Sequence, residues 1–121
     1  MSLLILKTTV IPGRQVGRRL GFPTLNFKIN KEVRMPEFGI YVGYVNKMPA
    51  VFNYGPRKTF GLTKPFLEAH LLDFSGEWRE KAVEIELVSY LREVKKFETE
   101  EKLKEQIRRD IEQAKKQLFS E

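Results

Sequence analysis

Three glycines at a spacing of four, Gly13, Gly17 and Gly21, sit in the run Gly13-Arg14-Gln15-Val16-Gly17-Arg18-Arg19-Leu20-Gly21-Phe22-Pro23-Thr24-Leu25-Asn26. Glycine reaches backbone angles that other residues avoid, so such a loop can aim several N–H groups at one point. Converging N–H donors make a nest for an anion, and Arg18 and Arg19 add positive charge beside it. Phosphate is the anion that fits. Thr24 and Asn26 are one residue apart, and in an extended segment both point to one side. A hydroxyl and an amide carbonyl are hard oxygen donors, suited to Mg²⁺ that keeps several waters. The run lacks the Gly-Lys-Ser/Thr of a P-loop and does not follow the dinucleotide pattern GxGxxG. On these residues alone, a basic glycine-rich surface loop between two strands is an equal reading.

A second stretch with chemical content is Phe66-Leu67-Glu68-Ala69-His70-Leu71-Leu72-Asp73-Phe74. As a strand it puts Leu67, Ala69, Leu71 and Asp73 on one face, and Phe66, Glu68, His70, Leu72 and Phe74 on the other. Both faces are mostly apolar. A carboxylate there is costly unless partnered. Placed beside a substrate hydroxyl, Glu68 would serve as a general base; at a barrel mouth it would pair with an arginine. His70 reads as structural, and Asp73 as ordering the loop Ser75-Gly76-Glu77. Glu84 and Glu86 look like a paired acid, but they alternate with Val83, Ile85 and Leu87 and so lie on the wet face of a strand.

The elements that must position these residues follow from pattern. Strands are expected at Leu4 to Ile11, Phe27 to Asn30, Gly39 to Val45, Met48 to Asn53, Phe66 to Phe74 and Ala82 to Leu91. Asn46-Lys47 reads as the tight turn of a hairpin. One long helix follows. Thr99 is its N-cap, Glu100 and Glu101 suit the positive end of its dipole, and Leu103, Ile107, Ile111, Ala114 and Leu118 form one apolar stripe. A lone amphipathic helix after a run of strands should cover the open side or end of a sheet or barrel.

With 121 residues the chain holds one domain, residues 1–121, and a real core. Hydrophobic content of 41% and charged content of 31% fit a folded globule. There is no cysteine, which excludes disulfides and thiol chemistry and fits a reducing compartment, so a cytoplasmic location is expected. His70 is the only histidine, so an all-histidine metal site is excluded within one chain. No apolar run is long enough to span a membrane. The net charge of +6 fits a polyanionic partner such as ATP, a nucleic acid or a membrane surface.

Gly17-Arg18-Arg19-Leu20-Gly21-Phe22-Pro23-Thr24-Leu25-Asn26 closely resembles the GRxLGFPTxN signature of riboflavin kinases, the ATP-dependent enzymes that make FMN. Gly39-Ile40-Tyr41, Asn53, Gly55, Thr59 and Phe60 fit the family's next segments, although Tyr54-Gly55-Pro56-Arg57-Lys58 stands where Ile-Gly-Thr-x-Pro is frequent. Glu68 to Phe74 matches E-x-H-[LIV]-L-D-F, whose glutamate is taken as the catalytic base. Arg92 and Phe97 match L-R-x-E-x-K-F, with the acidic Glu93 one place early. Arg79-Glu80 replaces a frequent Tyr-Gly pair. The likeness runs from about Val10 to about Lys116.

The resemblance implies a mainly β fold, a six-stranded Greek-key barrel with one long C-terminal helix across an opening. It implies ATP binding by Gly13, Gly17, Arg18, Gly21, Pro23 and Thr24, Mg²⁺ held by Thr24 and Asn26, Glu68 as the catalytic base, and flavin bound by Arg92 and Phe97. The expected partners are riboflavin/FMN and ATP/ADP, with no nucleic acid and no membrane, and the chain is expected to be a monomer. Many bacterial members are fused behind an FMN adenylyltransferase domain, for which this chain has no room, so the expectation is either a stand-alone kinase or the C-terminal domain of a longer protein with an N-terminal FMN adenylyltransferase domain. The alternatives are a small basic β-barrel that binds single-stranded nucleic acid and an inactive flavin-binding relative.

Overall fold

The computed structural model describes residues 2–12, 24–59 and 62–119. In chain order these form β1 (Leu4–Ile11), β2 (Thr24–Phe27), β3 (Gly39–Val45), β4 (Met48–Thr59), β5 (Leu62–Leu71), β6 (Ala82–Arg92) and α1 (Glu100–Phe119). The strands close into a barrel in the order β1-β2-β5-β4-β3-β6, antiparallel throughout. Strands β3, β4 and β5 follow one another as hairpins, and β6 returns to the far side of β3. That order is a Greek key. Pairing of β6 with β1 completes closure of the barrel.

The β3–β4 turn is built as its residues require. Asn46 and Lys47 both have positive φ, 48° and 69°, the backbone of the primed two-residue turn that matches strand twist. The Asn46 side chain ties the turn to β6, accepting from the Glu84 N–H at 2.8 Å. Gly43 is fixed by a close approach: a Cβ there would lie 1.8 Å from the Glu86 carbonyl oxygen. The β3–β6 ladder shifts register next to this contact, between Val42 and Gly43.

Leu25, Phe27, Phe52, Leu67, Ala69, Ile85 and Leu87 fill the barrel interior. A second cluster lies outside the wall, where Ile40, Val42 and Val51 meet Ala114 of α1, with Ile111 and Leu118 beside it. Strands β3 and β4 are therefore apolar on both faces, and α1 covers the outer wall rather than an opening. Ile29, Val33 and Met35, together with Phe74 and Trp78, pack against the interior cluster from the connecting segments.

Three strands differ from the sequence-based expectation by more than one residue at an end. The second strand is Thr24–Phe27, not Phe27 to Asn30, because Asn30 starts a turn: its Oδ1 accepts from the Glu32 N–H at 2.9 Å. Strand β4 continues past Asn53 to Thr59 despite Gly55-Pro56. Beyond Tyr54 it has no β3 partner, and Pro56 faces Pro65 in a stretch that pairs on one side only among the described residues, where a missing N–H is tolerated. Strand β5 ends at Leu71. Leu72 turns toward α1, and Asp73 pairs with Lys115 of the helix at 3.4 Å, rather than holding the loop that follows it.

Candidate active site

Strand pairing lines up residues that are far apart in the chain. Asn26 of β2 lies opposite Glu68 of β5, Glu68 opposite Asn53 of β4, Asn53 opposite Ile40 of β3, and Ile40 opposite Arg92 of β6. Residues directly opposite in antiparallel strands share a face, with Cβ atoms about 5 Å apart. One row over, Thr24 lies opposite His70 and His70 opposite Val51. Leu25 and Phe27 point inward with their partners Ala69 and Leu67, so Thr24, Asn26, Glu68, His70 and Asn53 all face outward.

On that outer wall a cavity of about 600 Å³ opens beneath α1 and the segment leading into it, within the size range of small-molecule sites. Glu68, His70, Asn53, Arg92, Phe97 and Asp110 are among its lining residues, with Ile40, Val51, Phe66, Leu103 and Ile107 supplying apolar surface. Glu68 is 7% exposed and Asn26 4%. The Oδ1 atoms of Asn26 and Asn53 are buried without a hydrogen-bond partner among the described residues.

Two interactions hold this wall. Arg92 makes a two-pronged pair with Asp110, Nε to Oδ1 at 2.8 Å and Nη2 to Oδ2 at 2.6 Å, and its Nη1 donates to the Glu93 carbonyl at 2.8 Å. Gln106 Nε2 also donates to Asp110 Oδ1, at 3.0 Å. The helix is thereby tied to the end of β6, and the segment between them roofs the cavity. The Thr24 hydroxyl hydrogen-bonds His70 Nδ1 at 3.2 Å. Burial lowers the His70 pKa to about 4, against the opposing pull of the Asp110 charge, so the imidazole is neutral near pH 7.

Thr24 and Asn26 present a hydroxyl and an amide oxygen on one face, and the buried, unpartnered Asn26 Oδ1 suits a hard cation. Among the described residues no group of three or more His, Cys, Asp or Glu is placed to hold a metal ion. A cation here would draw on hydroxyl, amide and phosphate oxygens and on water.

The family model for riboflavin kinase (flavokinase) matches residues 3–118. This chain belongs to the riboflavin kinase family. It is 38% identical over 111 residues to the bifunctional riboflavin kinase/FMN adenylyltransferase of Haemophilus influenzae, covering 88% of this chain and 36% of that protein. It is 33% identical over 106 residues to the bifunctional enzyme of Escherichia coli K12, covering 84% and 34%. An RNA-binding riboflavin kinase of Bacillus subtilis is 32% identical over 114 residues, covering 90% and 49%. The chain thus spans between a third and a half of the length of these curated relatives. In structure it is similar to a crystal structure described as a macrolide-efflux protein from Streptococcus pneumoniae, with TM-score 0.82 and 26% identity, over 93% of this chain and 38% of that one. No described helix is long and apolar enough to cross a membrane.

Of the residues singled out from the sequence, Thr24, Asn26 and Glu68 lie on adjacent strands, and Arg92 and Phe97 line the cavity that Glu68 lines. Gly13, Gly17, Arg18, Gly21 and Pro23 lie outside the described residues. Asp110 and Asn53 also line the cavity, and the sequence reading gave neither a role there. Asp110 had a signal: it is a carboxylate three residues after Ile107, inside the apolar stripe of α1. Asn53 fits a family segment, but its place beside Glu68 comes only from the cross-strand register, which a single sequence does not display.

Proposed function

We propose that this chain transfers the γ-phosphoryl group of ATP to the ribityl 5′-hydroxyl of riboflavin, giving FMN and ADP. The observation that carries the proposal is the position of Glu68, on the wall of a mostly apolar cavity and directly across the ladder from Asn26. The cavity's apolar side offers a surface for a flat, largely apolar ring system. Its polar side offers a carboxylate to a hydroxyl.

In this reading riboflavin lies in the cavity with its ribityl end toward Glu68. Glu68 accepts the proton of the 5′-hydroxyl as that oxygen bonds to the γ-phosphorus, and the bond from phosphorus to the β,γ-bridging oxygen breaks to release ADP. Placement and charge neutralisation supply most of the acceleration in such transfers. Thr24 and Asn26 would hold Mg²⁺, which when bound would neutralise the phosphate oxygens. The Thr24–His70 hydrogen bond fixes the hydroxyl's position. Gly13, Gly17, Arg18, Gly21 and Pro23, with Thr24, are proposed to wrap the phosphates of ATP.

Incubating the chain with riboflavin, ATP and Mg²⁺ and separating the flavins by chromatography tests the proposal. FMN should accumulate with one ADP per FMN. Riboflavin recovered unchanged would refute it.

A further inference from the structure

Asn53 has no part in the reaction as described so far, yet it stands beside Glu68. The two are directly opposite on β4 and β5, share the outer face and line the same cavity. The Asn53 Oδ1 is buried and has no hydrogen-bond partner among the described residues. A buried carbonyl oxygen left unpaired is costly, and most such groups in folded proteins are satisfied. The chain nonetheless keeps an asparagine where its neighbours on the same strand face are Val51 and Gly55. The oxygen lies near Gly55, 3.7 Å from where a Cβ on that glycine would sit.

What would complete Asn53 is a donor brought by the ligand. Its place limits which donor. The aromatic and aliphatic lining, Phe66, Phe97 and Leu103, suits a ring system, whereas Asn53 adjoins the carboxylate that meets the reacting hydroxyl. Side chains directly opposite on adjacent strands start about 5 Å apart, so two of them can converge on neighbouring hydroxyls of one extended polyol.

We propose that Asn53 is a specificity-determining residue: its Oδ1 accepts a hydrogen bond from the hydroxyl next to the one that Glu68 deprotonates, so the site reads a vicinal diol rather than a lone alcohol. This rests on the riboflavin kinase reading and goes beyond it. A site built to bond a substrate hydroxyl rejects the analogue that lacks it, because its own polar group is then left unpaired.

The test compares riboflavin with 4′-deoxyriboflavin, in the wild-type chain and in Asn53→Ala, by kcat/KM and by quenching of flavin fluorescence on binding. The wild-type chain should prefer riboflavin by roughly 10- to 100-fold. Asn53→Ala should lose a similar factor on riboflavin and discriminate between the two flavins by less than about threefold. A variant that discriminates as strongly as wild type overturns the proposal. So does a wild-type chain indifferent to the 4′-hydroxyl, a result that stands even where the variant fails to fold. If wild type binds riboflavin but makes no FMN, the kinase reading fails, and the binding comparison still decides the role of Asn53. Absence of riboflavin binding removes both.

Discussion

Asn26, Glu68 and Asn53 form a polar row of three across adjacent strands of the outer wall, and two of the three carry buried oxygens that the described residues leave without a hydrogen bond. Asn26→Ala removes one oxygen from the proposed cation site and should raise the Mg²⁺ concentration at half-maximal rate by about tenfold, the scale of one ligand contact. A metal titration that superimposes on wild type counts against the assignment. His70 makes a separate prediction. The folded chain holds its imidazole neutral down to about pH 4, whereas the unfolded chain protonates near 6.5. Between those values the unfolded state binds more protons, so stability is complete above the upper value and falls as the pH drops toward the lower one. The loss reaches about 3 kcal/mol over that window. Urea midpoints near neutral pH and at about pH 5 should therefore differ more for wild type than for His70→Gln, and equal differences would remove the effect. At this scale the sequence singled out Glu68, Thr24 and Asn26, which the fold places on adjacent strands; the family resemblance, not the residue types alone, supplied their proposed roles. The sequence concealed the Asn53–Glu68 contact, which exists only through strand register.

The helix α1 and strand β6 illustrate what element patterns carry. The Thr99 cap was legible and is formed, with the Lys102 N–H donating to Thr99 Oγ1 at 3.1 Å. The apolar stripe was legible too, and Ile107 and Ala114 are buried. Asp110 was not, since a charge within a stripe looks like an interruption until its partner is known. That partner, Arg92, comes from the end of β6 and is itself only 18% exposed. Removing one member of such a pair strands the other charge, so Asp110→Ala should destabilise the fold by about 3 kcal/mol. Converting both to apolar residues, Arg92→Met with Asp110→Leu, should recover most of that in thermal or urea melts. No recovery in the double variant would show that the pair is not what couples helix to barrel. The length of β4 was hidden for a different reason. Gly55-Pro56 reads as a breaker, and the strand continues because Pro56 lies beyond the β3 pairing, in a stretch where β5 is its only ladder partner among the described residues.

At the scale of the whole molecule, barrel closure is what converts a linear sequence into a site. It brings β2, β5, β4 and the end of β6 onto one outer wall, and the helix with its leading segment roofs that wall into a cavity. The run of strands followed by a terminal helix was legible from alternation, turn residues and the single 3.6-residue periodicity, whereas closure into a Greek-key barrel was implied by the family resemblance. The seat of the helix was not: β3 and β4 are apolar on both faces, and only the folded barrel decides which face is inside. In the proposed reaction this cavity is where a flavin hydroxyl meets its base. The most direct measurement is the turnover and riboflavin affinity of Glu68→Gln, which keeps the side chain's shape and removes its basicity. Turnover should fall by about 100-fold or more while the dissociation constant for riboflavin stays within about twofold of wild type; a variant that turns over at the wild-type rate would contradict the account.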